Sequence, residues 1–279
     1  MTLPFAKVEG LGNDFVLVDD PGAVAAIQAA TVDVRRLCDR HLGVGADGVL
    51  LTGVDPEGPF LRIINADGSV PEMCGNGLRC AALQLRRRGR IGDEAVVRTD
   101  AGPHRVQIRD LAEGQREGTV EVWMRAPSLQ PADLPLASPR PWRDHLLSTP
   151  RGEVRLTAVS MGNPHLVTFD PVAATDREAL GPHLAAHPLA PEGANVGFAR
   201  LADGRIQLAV HERGVGWTRA CGTGACAAAV AAVETGRADR GQELGVDLPG
   251  GALRIRVQGP EEPVRMTGPA RIVFEGWVA

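Results

Sequence analysis

Two cysteines in this chain stand in the same local setting. Cys74 lies in "PEMCGNGLRC" and Cys221 in "TRACGTGACA", 147 residues apart. Each is followed by Gly-x-Gly and then by an apolar run, Leu78 onward and Ala225 onward. A cysteine placed just before a helix is close to the positive end of the helix dipole and to unpaired backbone N–H groups. Such a site favours the thiolate over the free thiol value of roughly 8.5. The flanking glycines let backbone amides come close to a bound carboxylate. Each motif therefore offers a poised thiol and a carboxylate cradle.

The elements that must carry these thiols are also written twice. Gly12-Asn13 in "LGNDFVLVD" matches Gly162-Asn163 in "MGNPHLVTF" at an offset of 150, and Asn65 falls on Glu212 at the offset of 147. The same motifs in the same order mark an internal duplication. Alternating apolar residues in "RTDAGPHRVQIRD", "EGTVEVWMRA", "GALRIRVQGP" and "VRMTGPARIVFEG" predict strands. Helical patterning is confined to "AVAAIQAATVDVRRLCDRHLG", the two stretches after the cysteines and, weakly, "TDREALGPHLAAHP". The run "CGTGACAAAVAAVETGR" has no polar face for three turns, so it must be buried all round. The expected fold is α/β in the α+β sense: two pseudo-symmetric domains, each a curved, mainly antiparallel sheet around a central helix. The six prolines of Arg125–Gly152 mark the boundary region between the halves.

Two like motifs related by a pseudo-twofold axis would face one another across a cleft, with one thiol on each face of a substrate carbon. One thiolate would remove a proton next to a carboxylate and the opposite thiol would return one. The outcome is inversion: racemisation or epimerisation. The carbanion needs preorganised donors in a dry cavity. Pyridoxal phosphate chemistry would need a Schiff-base lysine. Lys7 is the only lysine, in a strand-like segment near the N-terminus, so cofactor-independent chemistry is the better reading.

Composition narrows the rest. Of 279 residues, 44% are hydrophobic and 23% charged, at a net charge of −4, which gives no electrostatic case for nucleic acid or an anionic membrane. No apolar run is long enough to span a bilayer and no signal peptide is visible, so a cytoplasmic protein is expected. Five cysteines argue against a disulfide scaffold. Cys38, Cys80 and Cys226 read as buried core thiols, and the Cys-x5-Cys and Cys-x4-Cys spacings fit a zinc site poorly. No metal is expected. The run Arg86–Arg88 reads as a helix end facing solvent.

Seven blocks in order resemble the diaminopimelate epimerases: "GLGNDFVLVD", "GVGADGVL", "NADGSVPEMCGNGLRC", "GNPH", "ANVGF", "ERGVGWTRACGTGACA" and "MTGPA". The resemblance covers nearly the whole chain. It implies an isomerase of lysine and peptidoglycan-precursor biosynthesis that uses no cofactor and converts LL-2,6-diaminopimelate to the meso form, as a homodimer. It implies that Cys74 and Cys221 are the acid/base pair and that His165 and Glu212 modulate their protonation. Substrate contacts carried over are Asn13, Asn65, Gly75, Asn76, Asn163, Asn195, Glu212, Arg213, Gly222 and Thr223. The family fold returns the last strand to the first domain, giving 1–122 with 264–279, and 123–263. Three positions depart from the commonest pattern: Gly48 where some members have glutamine, His211 for tyrosine, and the bulky Trp217. Proline racemases and hydroxyproline epimerases are similar enzymes, but typically carry histidine after Cys-Gly where this chain has Asn76. A thiol redox sensor remains the non-enzymatic alternative, distinguished by the absence of α-proton exchange on any amino acid.

Overall fold

Thirteen residues, Gly75–Arg87, form the helix at the centre of the first half. Every residue from Gly75 to Leu85 is buried, so the helix has no solvent face until its last turn. Leu78, Leu83 and Leu85 are fully buried, each contributing on the order of 2 kcal/mol by leaving water. The helix ends on Arg88 and on Gly89 at φ 67°, a left-handed conformation that glycine adopts without strain. The arginines of the last turn suit the negative end of the dipole. They are not simply solvated: Arg87 and Arg88 both reach Glu275, and Arg86 reaches Asp93.

This computed structural model describes residues 2–71, 73–112 and 114–279. The chain divides into two units, Met1–Trp123 with Thr267–Ala279, and Met124–Met266. In the first, Leu3–Gly10 pairs antiparallel with Asn13–Val18, which runs parallel to Gly48–Asp55, itself hairpinned to Gly58–Asn65. Glu94–Thr99, Gly102–Arg109 and Glu117–Trp123 continue the sheet as a meander. The long last strand, Arg265–Val278, lies beside Glu117–Trp123 and also pairs antiparallel with Leu3–Gly10, which closes the sheet around the helix.

The second unit repeats the plan. Its central helix, Gly222–Glu234, is built from alanine, and Ala225 and Ala227–Ala232 are buried. Small side chains on every face let strands approach it closely from all sides. Gly152–Ser160, Pro164–Thr168, Asn195–Ala202 and Arg205–Glu212 surround it, with Glu243–Leu248 and Gly251–Arg256. The proline-rich stretch after Arg125 is part of this unit's core, where Leu134, Leu136 and Trp142 pack beside Leu156 and Leu184.

The helical stretch expected from Ala23 to Gly43 is two helices, Pro21–Gln28 and Val34–Cys38. Ala30 takes φ 55° between them, and Asp33 caps the second by accepting from Arg36 N–H. Cys38, Cys80 and Cys226 are buried. Burial pushes the Cys38 thiol up to about 11 and the Cys80 thiol up to about 12.

Candidate active site

Both motif cysteines are helix N-caps. Cys74 has φ −136° and ψ 111°, and its Sγ accepts the Gly77 N–H at 3.4 Å. Cys221 has φ −124° and ψ 104°, and its Sγ accepts the Gly224 N–H at 3.3 Å. A Cβ on Gly224 would sit 3.1 Å from that sulfur, so the second glycine of the motif leaves room for the thiol. Gly75, Asn76 and Gly77 after Cys74 are buried, as are Gly222 and Gly224 after Cys221.

The Gly-Asn turns come to the same two corners. Leu11 and Gly12 both have positive φ, which turns the chain so that Asn13 opens the next strand. Asn13 Oδ1 accepts from Asn76 Nδ2 at 3.1 Å and from the Cys74 thiol at 3.7 Å. In the second unit Gly162 has φ 97°, and Asn163 Nδ2 donates to Thr223 Oγ1 at 3.4 Å. Thr223 Oγ1 is 3.6 Å from Cys221 Sγ. The asparagine of each turn is thus joined to the residue two beyond its cysteine.

The two corners differ in charge. The Glu212 carboxylate disfavours the Cys221 thiolate. Its Oε1 accepts the Thr218 hydroxyl at 2.6 Å. Asn65, at the equivalent position of the first half, is neutral and donates to Ser69 Oγ at 2.9 Å. The helix-end effect expected to favour the thiolate is present at Cys221 through the Thr223 hydroxyl and the Gly224 N–H, but it is outweighed. Burial first, and Glu212 second, push this thiol well above its ordinary value.

His165 takes the place of Phe15 in the first half. It is 1% exposed, and its Nε2 lies 3.0 Å from Asn163 Oδ1. Burial, helped by the Arg213 charge, lowers its pKa to about 3. It is therefore a neutral imidazole at pH 7 and reaches Cys221 through Asn163 and Thr223. Asn195 is buried and bridges two strands, donating to Pro164 O at 3.2 Å and accepting the Arg213 N–H at 2.9 Å. The exposed Arg213 side chain is anchored at one end, Nη1 donating to Glu192 O at 2.8 Å.

A family model described as diaminopimelate epimerase matches residues 5–126 and 157–273. The chain belongs to the diaminopimelate epimerase family. It is 46% identical to a diaminopimelate epimerase of Desulforudis audaxviator (strain MP104C), over 99% of each chain. It is 42% identical to one of Teredinibacter turnerae (strain ATCC 39867 / T7901), over 100% of this chain and 99% of that one. Among solved structures, a hydroxyproline epimerase from Agrobacterium vitis shares the fold with a TM-score of 0.70 at 18% identity, covering 100% of this chain and 92% of that one.

As a member of the diaminopimelate epimerase family the chain is an isomerase acting on a small molecule. Among the described residues no cluster of three or more His, Cys, Asp or Glu could hold a metal, and no helix is long and apolar enough to cross a membrane. Lys7 is tied down, its Nζ donating to Gly45 O and paired with Asp14.

Three further residues around the corners lie within the seven sequence blocks but are not among the site residues expected from them. Arg79 is a fully buried guanidinium, donating to Asn76 Oδ1 at 2.9 Å, Pro269 O at 3.1 Å and Gly75 O at 3.4 Å. Its i−4 and i−3 spacing from Gly75 and Asn76 was the available signal, hidden among many arginines. Asp47 accepts from Asn13 Nδ2 at 2.7 Å. Thr218 holds Glu212. Gly48, the departure from the family pattern, is required by the sheet: a Cβ there would lie 2.6 Å from Ile64 O.

Proposed function

We propose that this family member inverts one α-carbon of LL-2,6-diaminopimelate to give the meso isomer, in the cytoplasm and as a homodimer, serving lysine and peptidoglycan-precursor synthesis. Cys74 and Cys221 are its two proton carriers. The observation that carries the reading is that each central helix begins on a cysteine whose Sγ accepts the N–H three residues on. Full-length identity to two diaminopimelate epimerases supports the substrate. A mechanism run by thiols suits a reducing compartment.

Inversion needs one thiolate and one thiol, and Cys221 is the one read as the thiol. Cys221 enters as the thiol, because burial and Glu212 disfavour its anion. Cys74, as thiolate, takes the α-proton from one face; the C–H pair stays on carbon as a carbanion. Cys221 then gives its proton to the opposite face. The reverse direction exchanges the roles. First-turn N–H groups at Gly75-Asn76 and Gly222-Thr223 hold the α-carboxylate, with the helix dipoles stabilising negative charge as it builds. Neutral His165 keeps Asn163, and through it Thr223, in place without adding a competing charge. Asn65, Asn195, Glu212 and Arg213 address the distal amino-acid head. Neither pyridoxal phosphate nor a metal has a step in this scheme.

The test is incubation of the reduced protein with LL-diaminopimelate in deuterium oxide, following the α-proton by NMR. Wild type exchanges the proton and accumulates the meso isomer. Cys74→Ala and Cys221→Ala each lose full turnover. Epimerisation that survives in either variant rejects the two-thiol assignment.

A further inference from the structure

Two opposite charges hold the ends of the amide pair beside Cys74. At one end the Asp47 carboxylate accepts from Asn13 Nδ2 at 2.7 Å. At the other the Arg79 guanidinium donates to Asn76 Oδ1 at 2.9 Å. Between them Asn76 Nδ2 donates to Asn13 Oδ1 at 3.1 Å. A carboxylate can only accept and a guanidinium can only donate. Each therefore selects one of the two orientations its neighbouring amide could take, and the two selections agree. The head-to-tail order leaves Asn13 Oδ1, an acceptor, facing the Cys74 thiol at 3.7 Å. Among the described residues the second unit shows no such charge pair: Asn163 is oriented by neutral His165 and hands on a donor to Thr223.

We propose that Asp47 and Arg79 are positioning residues for the reaction: as opposite charges they lock Asn13 and Asn76 head to tail, so that Cys74 meets an oxygen acceptor instead of an N–H donor. This rests on the reading of Cys74 as a proton carrier. Once the Cys74 thiolate has taken a proton, an acceptor aligned on it holds the S–H in a fixed direction and favours the thiol, so the proton given back in the reverse direction has a defined place to sit. With the amide of Asn13 reversed, an N–H would face the sulfur and hold the thiolate in its place. Asp47 is itself fixed, accepting the Asp14 N–H at 3.1 Å and Arg40 Nη2 at 2.8 Å, while Arg40 also pairs with Asp14. The charges around this corner are Asp47, Asp14 with its partners Lys7 and Arg40, Glu9, which accepts the Gly12 N–H and pairs with Arg271, and the buried Arg79.

The experiment compares Asp47→Asn with Asp47→Ala. The Asp47 side chain is 42% exposed, so neither replacement opens a buried cavity. The readout is the pH dependence of Cys74 alkylation by iodoacetamide, followed by peptide mass spectrometry, alongside kcat and KM. Asp47→Asn removes the charge but can still accept from Asn13 Nδ2. Asp47→Ala removes both. The expected result is a midpoint for Cys74 alkylation lower by about half a pH unit or more in Asp47→Ala than in Asp47→Asn. In kcat, Asp47→Ala loses about tenfold relative to Asp47→Asn at similar KM. Equal midpoints in the two variants would show that only the charge matters and would overturn the relay, as would an upward shift in Asp47→Ala. At the other end, Arg79→Lys retains more kcat than Arg79→Met; equal losses with matched melting temperatures remove Arg79 from it. The alkylation profile needs no turnover. If Cys74→Ala still epimerises, the parent reading fails whatever the midpoints are.

Discussion

The Thr218 hydroxyl donates to Glu212 Oε1 across 2.6 Å, and Glu212 in turn bears on the buried Cys221 thiol. Glu212 ends one strand and Thr218 ends the short strand that pairs back on it, Glu212 opposite Gly216. The hairpin therefore fixes the direction of the carboxylate. Thr218→Val keeps the shape and removes the donor. It is expected to lower kcat about tenfold, the order of effect of a misdirected catalytic contact, while Thr218→Ser stays near wild type. Steady-state epimerisation of both variants checks this, and a Thr218→Val enzyme with unchanged kcat would show that Glu212 does not need the hydroxyl.

His165 gives the protein an acid-sensitive stability. Its folded pKa, about 3, lies below the ordinary 6.5 of the unfolded chain. The stability this supplies is fully present above 6.5 and is lost as pH falls toward 3, because the unfolded chain binds the proton first. The slope is about 1.4 kcal/mol for each pH unit in that window. Urea unfolding between pH 7 and pH 4 measures it. His165→Phe, which installs the residue type of the equivalent Phe15, should flatten the slope by one proton. A slope unchanged in that variant would mean His165 is not a buried neutral imidazole.

The five thiols should separate by accessibility. Cys74 is half-buried, whereas Cys38, Cys80, Cys221 and Cys226 are buried. At pH 7.5, without ligand, alkylation should label Cys74 first. Burial and Glu212 keep Cys221 protonated and slow. Peptide mapping over time gives the order. Cys221 labelled ahead of Cys74 would contradict the protonated, buried state assigned to Cys221.

The parts of this site that could be read from the sequence are those built by local geometry. Gly-x-Gly after Cys74 and Cys221 marks a helix start, and an alanine run without a polar face must be buried, so both central helices and their caps were legible. The parts that could not are tertiary. Nothing in its own motif singles out Arg79; its partner Pro269 O comes from the far end of the chain. The upward shift at Cys221 is set by desolvation and by Glu212, which outweigh the helix-end effect that sequence exposes. The break between Pro21–Gln28 and Val34–Cys38 lies in residues of ordinary helix propensity; it is made by a left-handed Ala30 and the Asp33 cap. Gly48 shows the converse: a site departure in sequence is a close backbone approach in structure.

Diaminopimelate has two amino-acid heads, and while one reacts the other must be recognised by groups of both signs. Glu212 and Arg213 are adjacent and opposite in charge. The Arg213 backbone is held by Asn195, and one edge of its guanidinium by the Glu192 carbonyl. That anchoring fixes the plane of the guanidinium, which suits two-point contact with a carboxylate. A substrate without the distal head leaves these groups unmatched, so alanine or proline should be rejected by roughly 10³-fold or more in kcat/KM. Arg213→Met should lower kcat/KM for diaminopimelate chiefly through KM, because it removes binding that is the same in ground and transition states. The rate of Cys74 alkylation should stay near wild type in that variant. Turnover of proline faster than diaminopimelate would move the chain to the proline racemase branch, and an Arg213→Met enzyme with unchanged KM would remove Arg213 from the distal site.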